Sequence, residues 1–309
     1  MITYVLGDLF ESPARVLVNT VNTVGVMGKG IAKDFKRIYP EMFREYQKHC
    51  ETKRLTVGKL WLYKTSNKWI LNFPTKTTWR KPSEIQYIES GLNTFVREYA
   101  KRGITSIAFP PLGCGNGELD WDREVQPLME NYLRKLPIDI FIHLYRQDPQ
   151  VPEHRDIKDV AIWLRSDLES LGFVEVWKDL TELIGSGLDL RTSFDHEIFH
   201  VKVISELDEQ GICFLIDDKK TFIPEEELLE LWTTVRNCGF VIPAIMPAGL
   251  DKISNQLVAL FSELPYCRSV SASNDYLTLS PGQSIGLQLV PQALPPKIFE
   301  KFPFELKPV

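Results

Sequence analysis

The sequence has no apolar run approaching the ~18 residues of a membrane span. Its first residues, MITYVLGDLF, alternate like a strand and do not read as a basic then apolar leader, so a cytoplasmic home is expected. Cysteine is sparse, with five in 309 residues. Cys50, Cys114, Cys213, Cys238 and Cys267 are far apart and odd in number, which excludes a disulfide framework or a zinc cluster and leaves reduced thiols. The five histidines, His49, His143, His154, His196 and His200, form no ligand set. His196-Glu197-Ile198-Phe199-His200 matches the H-E-x-x-H zinc pattern in form. Ile198, Val201 and Val203 around it alternate like a strand, where the glutamate points away from the histidines. No third ligand is signalled, and no metal is expected. Internal repeats and low-complexity tracts are also missing.

The chain carries an ordinary globular balance, 44% apolar and 25% charged, over a length that suits two domains. The net charge of −5 hides a split. Residues 1–150 hold 22 Lys and Arg against 16 Asp and Glu; residues 151–309 hold 14 against 25. Halves at +6 and −11 suggest a nucleic-acid or partner-protein role, with the first half expected to attract a polyanion and the second to repel one. The polar, proline-interrupted stretch 147–153 reads as the linker, giving domains at 1–147 and 154–309.

Within 1–147, strands are expected at 2–6, 15–20, 57–63, 68–73, 104–109 and 138–145, with helices at 31–38, from Pro40, at 83–101 and at 121–135. The spans 57–63 and 68–73 read as a hairpin across Thr65-Ser66-Asn67. Strands with continuous apolar runs that alternate with helices predict an α/β sheet covered on both faces. The second half reads as α+β: a helical face from Ile157 to Leu171, strands at 201–206, 212–217 and 222–223, a helix after Pro224, a helix at 251–263, and strands at 268–273 and 284–290.

Two glycine loops follow strands. The first, Gly25-Val26-Met27-Gly28-Lys29-Gly30, opens a helix with Ile31, Phe35 and Ile38 on one face. That arrangement turns backbone N–H groups and a helix dipole toward an anion. It has no Walker lysine–serine pair and is not a dinucleotide fingerprint. The second is Leu112-Gly113-Cys114-Gly115-Asn116-Gly117, after Pro110-Pro111. Asn22 can donate and accept at once, which suits ribose hydroxyls, or it can satisfy the loop backbone. Trp79, Arg80 and Lys81 combine an aromatic with two cations, a mixture that suits single-stranded DNA, or else Trp79 packs on the hairpin.

Gly7-Asp8-Leu9-Phe10, the run Asn19 to Ala32 (NTVNTVGVMGKGIA) and P-P-L-G-C-G-N-G-E-L-D-W at 110–121, taken together, resemble the macrodomain family over about the first 145 residues. I-L-N-F-P-T-K-T-T-W-R at 70–80 further resembles the DNA ADP-ribosyl glycohydrolase antitoxins of the DarG type. The resemblance implies a macrodomain-type mixed sheet sandwiched by helices, followed here by a smaller α+β domain. It implies an ADP-ribosyl glycohydrolase that frees thymidine in DNA of ADP-ribose and opposes a DarT-like toxin, with ADP-ribose as ligand and product and no cofactor. A non-catalytic ADP-ribose reader and a hydrolase of O-acetyl-ADP-ribose or ADP-ribose-1″-phosphate are the competing readings.

For individual residues, the resemblance places Asp8 at the adenine amino group, a turn or helix-cap aspartate being the alternative, and Leu9 among the residues that line the ligand. Thr20, Ile31 and the two glycine loops line the ligand, and Asn22 lies beside the scissile bond. Tyr145 stacks on adenine or packs in the core. Lys76 is implied as the group that attacks the distal ribose, for which it must lose its proton through desolvation or nearby cations, with Arg80, Lys81 and Lys29 as candidates. The related lysine-dependent enzymes carry an acid where this chain has Asn116 and Gly117, and Glu118 and Asp120 are only near it in sequence. The proton partner of Lys76 therefore has no matched residue. For the acidic half, holding a basic cognate toxin is one reading and a plain structural extension is another.

Overall fold

The computed structural model describes residues 1–144, 151–193, 195–217, 219–272 and 285–293 of the chain. They divide into two compact units, Met1–Val160 and Ala161–Val309, each treated separately below.

The first unit is built on a six-stranded mixed sheet in the order β1-β6-β5-β2-β4-β3. Its strands are β1 (Ile2–Val5), β2 (Val16–Val21), β3 (Trp61–Lys64), β4 (Trp69–Pro74), β5 (Ser106–Phe109) and β6 (Asp139–His143). All neighbours are parallel except the β3–β4 hairpin at one edge, where Trp61 faces Asn72 and Lys64 faces Trp69. The helices are α1 (Gly30–Ile38), α2 (Pro40–Glu51), α3 (Ile85–Glu98) and α4 (Gln126–Leu133). β2 shows why both faces are covered. Val16 and Val18 pack with Phe73, Ile88, Leu92, Phe95 and Met129 under α3 and α4. Leu17 and Val21 pack with Phe35, Met42, Phe43 and Tyr46 under α1 and α2. Each such aliphatic or aromatic side chain contributes about 1.5–3 kcal/mol by leaving water. Where α3 crosses β4, a Cβ at Gly91 would lie 2.2 Å from the Phe73 ring, so only glycine permits that approach.

Two expected elements start late or bend. The first hairpin strand begins at Trp61, because Gly58 takes φ +81° in a turn closed by Lys59 N–H to the Thr56 carbonyl. The helix expected over 121–135 opens as a wide π-type turn at Trp121–Val125 before α4. Pro127 has no N–H to give the Arg123 carbonyl, so the regular ladder cannot run through it.

The second unit holds most of α5 (Ile157–Ser166, within which the two units divide), α6 (Phe173–Ile184), α7 (Glu225–Cys238) and α8 (Ser254–Ser262). It has two antiparallel sheets. β7 (Leu188–Arg191), β8 (Ile198–Glu206), β9 (Glu209–Ile216) and β10 (Lys219–Pro224) form one in the order β10-β9-β8-β7. β11 (Phe240–Val241), β12 (Cys267–Ser271) and β13 (Ile285–Leu289) form the other, in the order β11-β13-β12. This is the expected α+β character. His200 lies in β8 with its Nδ1 2.6 Å from Asp189 Oδ1, while His196 precedes the strand with φ +57°. Among the described residues no cluster of His, Cys, Asp or Glu could hold a metal ion. No described helix is long and apolar enough to cross a membrane.

Candidate active site

Parallel β1, β2, β4, β5 and β6 deliver their carboxyl ends to one edge of the first sheet. Open α/β sheets place ligands at that edge. The loops that leave it are those carrying Asp8, the 22–30 stretch, Thr75-Lys76-Thr77 and the 110–117 stretch.

Lys76 stands at the centre of this group. Thr75 N–H extends the β2–β4 pairing to the Val21 carbonyl at 2.9 Å. Thr23 Oγ1 donates to the Thr77 carbonyl at 2.8 Å, so Lys76 is bracketed between one tie to the end of β2 and one to the first loop. Its Nζ donates to the Asn116 carbonyl at 2.5 Å, which joins it to the second loop. The side chain is only 6% exposed. Burial pushes the ammonium pKa below the ordinary lysine value, and the negative charges of Glu153 and Glu118 oppose that shift. Desolvation, rather than the expected cations Arg80, Lys81 and Lys29, therefore carries the lowering.

Asn22 is occupied in shaping the first loop. Its Oδ1 accepts from Val24 N–H at 3.0 Å, Val26 N–H at 3.3 Å and the Tyr46 hydroxyl at 3.1 Å, while Nδ2 donates to the Val26 carbonyl at 2.7 Å. These bonds match the alternative in which Asn22 satisfies the loop backbone. Gly25, with φ +82°, rests on Gln47 and Cys50 of α2. Val26 and Met27 bury their side chains, so backbone is what they offer a ligand. Gly28 is buried as well, whereas Thr20 and Ile31 are half-buried. α1 starts at Gly30 with φ +58° and no side-chain cap from Lys29. Its first N–H groups can therefore serve an anion. A Cβ on Gly30 would sit 2.9 Å from Asn116 Nδ2, so the two glycine loops meet there.

In the second loop Leu112 is fully buried. Gly113 has φ +69°, with Leu119 2.9 Å from its would-be Cβ. Gly115 faces open space. Gly117 lies against Ser83, whose Oγ would be 2.3 Å from an added Cβ. Burial first, and then Asp120, Glu124 and Asp122, push the Cys114 thiol up to about 12, so it stays protonated and is no nucleophile.

Asp8 caps the short turn Leu9–Glu11, with Oδ1 accepting from Phe10 N–H at 2.9 Å. It remains exposed, while Leu9 is buried. Tyr145 lies outside the described residues. Trp79 is fully buried, so it cannot stack on a base; the Arg80 guanidinium sits 4.1 Å from its ring centroid. Arg80 and Lys81 remain half-buried and exposed.

Sequence reading assigned no role to several participants. Tyr46 of α2 donates to the Asn22 carbonyl at 2.8 Å, and Asn19 donates to Asn72 at 2.9 Å across β2 and β4. Glu153 and His154 lie in or beside the stretch read as a linker, yet belong to the first unit. His154 Nε2 is 2.7 Å from Glu118, Arg155 lies 2.5 Å from the same carboxylate, and Lys29 Nζ donates to the Val151 carbonyl at 3.1 Å. These contacts bring a buried Glu153 into electrostatic reach of Lys76 and Lys29. A lone acid and histidine after a proline carry no pattern that could have announced this.

Residues 18–128 match the family model described as Macro domain. A DNA ADP-ribosyl glycohydrolase of Mycobacterium tuberculosis is 48% identical over 147 residues, which are 46% of this chain and 42% of that protein. A solved structure, the macrodomain of Mycobacterium tuberculosis DarG, is 47% identical with a TM-score of 0.45, over 48% of this chain and 99% of that one. A DNA ADP-ribosyl glycohydrolase of Thermus aquaticus is 40% identical over 211 residues, 63% of this chain and 59% of that protein. A DNA ADP-ribosyl transferase-DNA ADP-ribosyl glycohydrolase fusion protein of Thermosipho africanus is 42% identical over 171 residues, 48% of this chain and 44% of the fusion. The chain thus spans about half the length of the curated relatives it matches.

Proposed function

Because the first unit of this chain is a macro domain, we infer that the protein removes ADP-ribose from modified DNA by lysine-dependent glycohydrolysis. The observation that carries this reading is Lys76. It is a buried lysine whose proton affinity is lowered by desolvation, placed where the strand ends and both glycine loops converge. A module that only held ADP-ribose would have no need to bury an ammonium group, which costs several kcal/mol. The loops supply N–H groups for the diphosphate, Asp8 keeps a carboxylate oxygen for the adenine amino group, and Lys76 faces the distal ribose. A neutral Nζ then forms a bond to the anomeric carbon as the bond to the base breaks, the base nitrogen takes up the proton that Nζ sheds, and water cleaves the new C–N bond to free ADP-ribose and the lysine. Arg80 and Lys81 attract the phosphates of the strand.

The names of the relatives favour DNA as the modified partner, and the fusion protein favours a DNA ADP-ribosyltransferase as the activity opposed. The acidic second half then holds that basic toxin by complementary charge, giving protection without catalysis. Release of ADP-ribose from ADP-ribosylated single-stranded DNA tests the first part. Turnover by the wild type and none by Lys76→Ala is expected, and equal release by both defeats the lysine mechanism. Co-purification of the chain with a genomically adjacent transferase tests the second, and the absence of any such complex counts against it.

A further inference from the structure

We propose that Glu153 is the carboxylate partner of Lys76, the group that exchanges a proton with Nζ; the role rests on the lysine-dependent reading above. Three contacts seat the turn that bears Glu153. The Val151 carbonyl accepts from Lys29, and His154 and Arg155 both hold Glu118. Between these anchors the Glu153 side chain is 7% exposed, about as buried as Lys76 itself.

Two carboxylates act on Lys76, and their surroundings divide the work. Glu118 is saturated by His154 and Arg155, and the His154 hydrogen bond leads in holding its pKa below the usual carboxylate range. It is a fixed negative charge and keeps no proton near neutrality. Glu153 has no side-chain hydrogen bond among the described residues. Burial raises its pKa to about 7, against the pull of Lys76 and Lys29. The groups in electrostatic reach of it are Lys76, Lys29 and the Tyr46 hydroxyl, whose own ionisation the Glu153 charge opposes, while His154 and Arg155 of the same turn are held on Glu118. Environments that move a lysine down and a carboxyl up bring the two toward proton exchange. The step needs no further reactant. A proton leaves the Nζ ammonium and reaches a Glu153 carboxylate oxygen, through one water or once the two side chains close on each other, giving a neutral amine with its lone pair and a neutral acid, and the reverse transfer restores both charges.

The test uses the full chain and two readouts. One is the pH profile of kcat/KM on ADP-ribosylated single-stranded DNA. The other is an NMR titration of Lys76 in protein labelled at lysine, assigned by Lys76→Arg. In the wild type, activity rises with pH through about 7, as Glu153 ionises. Glu153→Gln loses that limb and about 10²-fold in kcat, the usual worth of a proton-transfer partner. Its Lys76 titrates at lower pH, because the opposing charge is gone. Glu153→Asp restores the limb in part. An unchanged limb together with an unchanged Lys76 titration overturns the pairing. So does a faster Glu153→Gln with lower KM, which makes the 151–155 turn a plug over the cleft. If the wild type releases no ADP-ribose while the Lys76 titration still moves with Glu153, the pairing stands and the glycohydrolase reading fails.

Discussion

Replacing Lys76 by methionine separates a nucleophile from a bystander, because the fold should tolerate it. Methionine nearly matches the lysine stem in volume. The variant forfeits one charge-assisted hydrogen bond to the Asn116 carbonyl, about 1.5–3 kcal/mol. It also removes an ammonium that is 6% exposed, whose burial costs several kcal/mol of its own. The two effects oppose, so the melting temperature should move by only a few degrees. Chemistry has no such offset. An unshifted lysine is neutral about once in 2,500 at pH 7, and each unit of lowering, about 1.4 kcal/mol, multiplies the reactive fraction tenfold. Burial at Lys76 acts in that direction. Release of ADP-ribose from modified single-stranded DNA should fall by roughly 10³-fold or more in Lys76→Met, and by as much in Lys76→Arg, which keeps the charge but cannot lose it. Calorimetry should show ADP-ribose still bound by both within about tenfold. A Lys76→Arg enzyme within tenfold of wild-type turnover would refute the reasoning, since it would mean that positive charge alone suffices.

Glu153 makes stability depend on pH in a defined direction. Its carboxyl is raised to about 7 in the fold from an unfolded value near 4.3. It therefore costs nothing below pH ~4, progressively more between the two values, and levels off above pH 7 at roughly 4 kcal/mol. Glu153→Gln should match the wild type in urea melts at pH 4 and exceed it by up to that amount at pH 8; coincident melts at both would refute this. Trp79→Ala should lose about 3–5 kcal/mol of stability, as a fully buried aromatic does, with no specific loss of base stacking on DNA. Arg80→Ala and Lys81→Ala should instead make single-strand binding less sensitive to salt, the log–log slope falling by about 0.7 for each phosphate that is no longer neutralised. Gly117→Ala forces a Cβ to 2.3 Å from Ser83 Oγ, should cost about 1–3 kcal/mol and weaken ADP-ribose binding, and should recover partly in combination with Ser83→Ala.

What could be read in the sequence follows from how far each signal reaches along the chain. Continuous apolar strands at 15–20 and 104–109, with helical faces between them, announce a sheet covered on both sides. β2 divides Val16 and Val18 from Leu17 and Val21 between two cores, as that pattern requires. The glycine loops are visible because glycine at a strand end is a local demand, met here by φ +82° at Gly25 and +69° at Gly113. Lys76 is visible through its motif. Trp79 misleads because an aromatic between cations looks exposed, whereas burial is decided by what folds over it. Asn22 is less legible because its competitors for hydrogen bonds include the hydroxyl of Tyr46, a residue of α2 that no spacing connects to the loop.

Glu153 marks the limit of composition as a guide to boundaries. A polar stretch with two prolines reads as a place where few interactions cross, which is why 147–153 looks like a linker. Proline and charge are equally what a short tethered turn requires. Pro152 precedes the turn Glu153–Arg155, and the side chains of His154 and Arg155 are used on Glu118 rather than left in water. The acid most strongly coupled to Lys76 after its own desolvation thus comes from beyond the sheet's last strand, and from outside every motif. A site assembled from strand ends needs a proton acceptor that is buried yet unsaturated. Residues inside the glycine loops are committed to shaping backbone, as Asn22 is, and Glu118 is committed to holding the turn. The segment that follows the last strand is where an uncommitted carboxylate can be added without disturbing the two glycine loops.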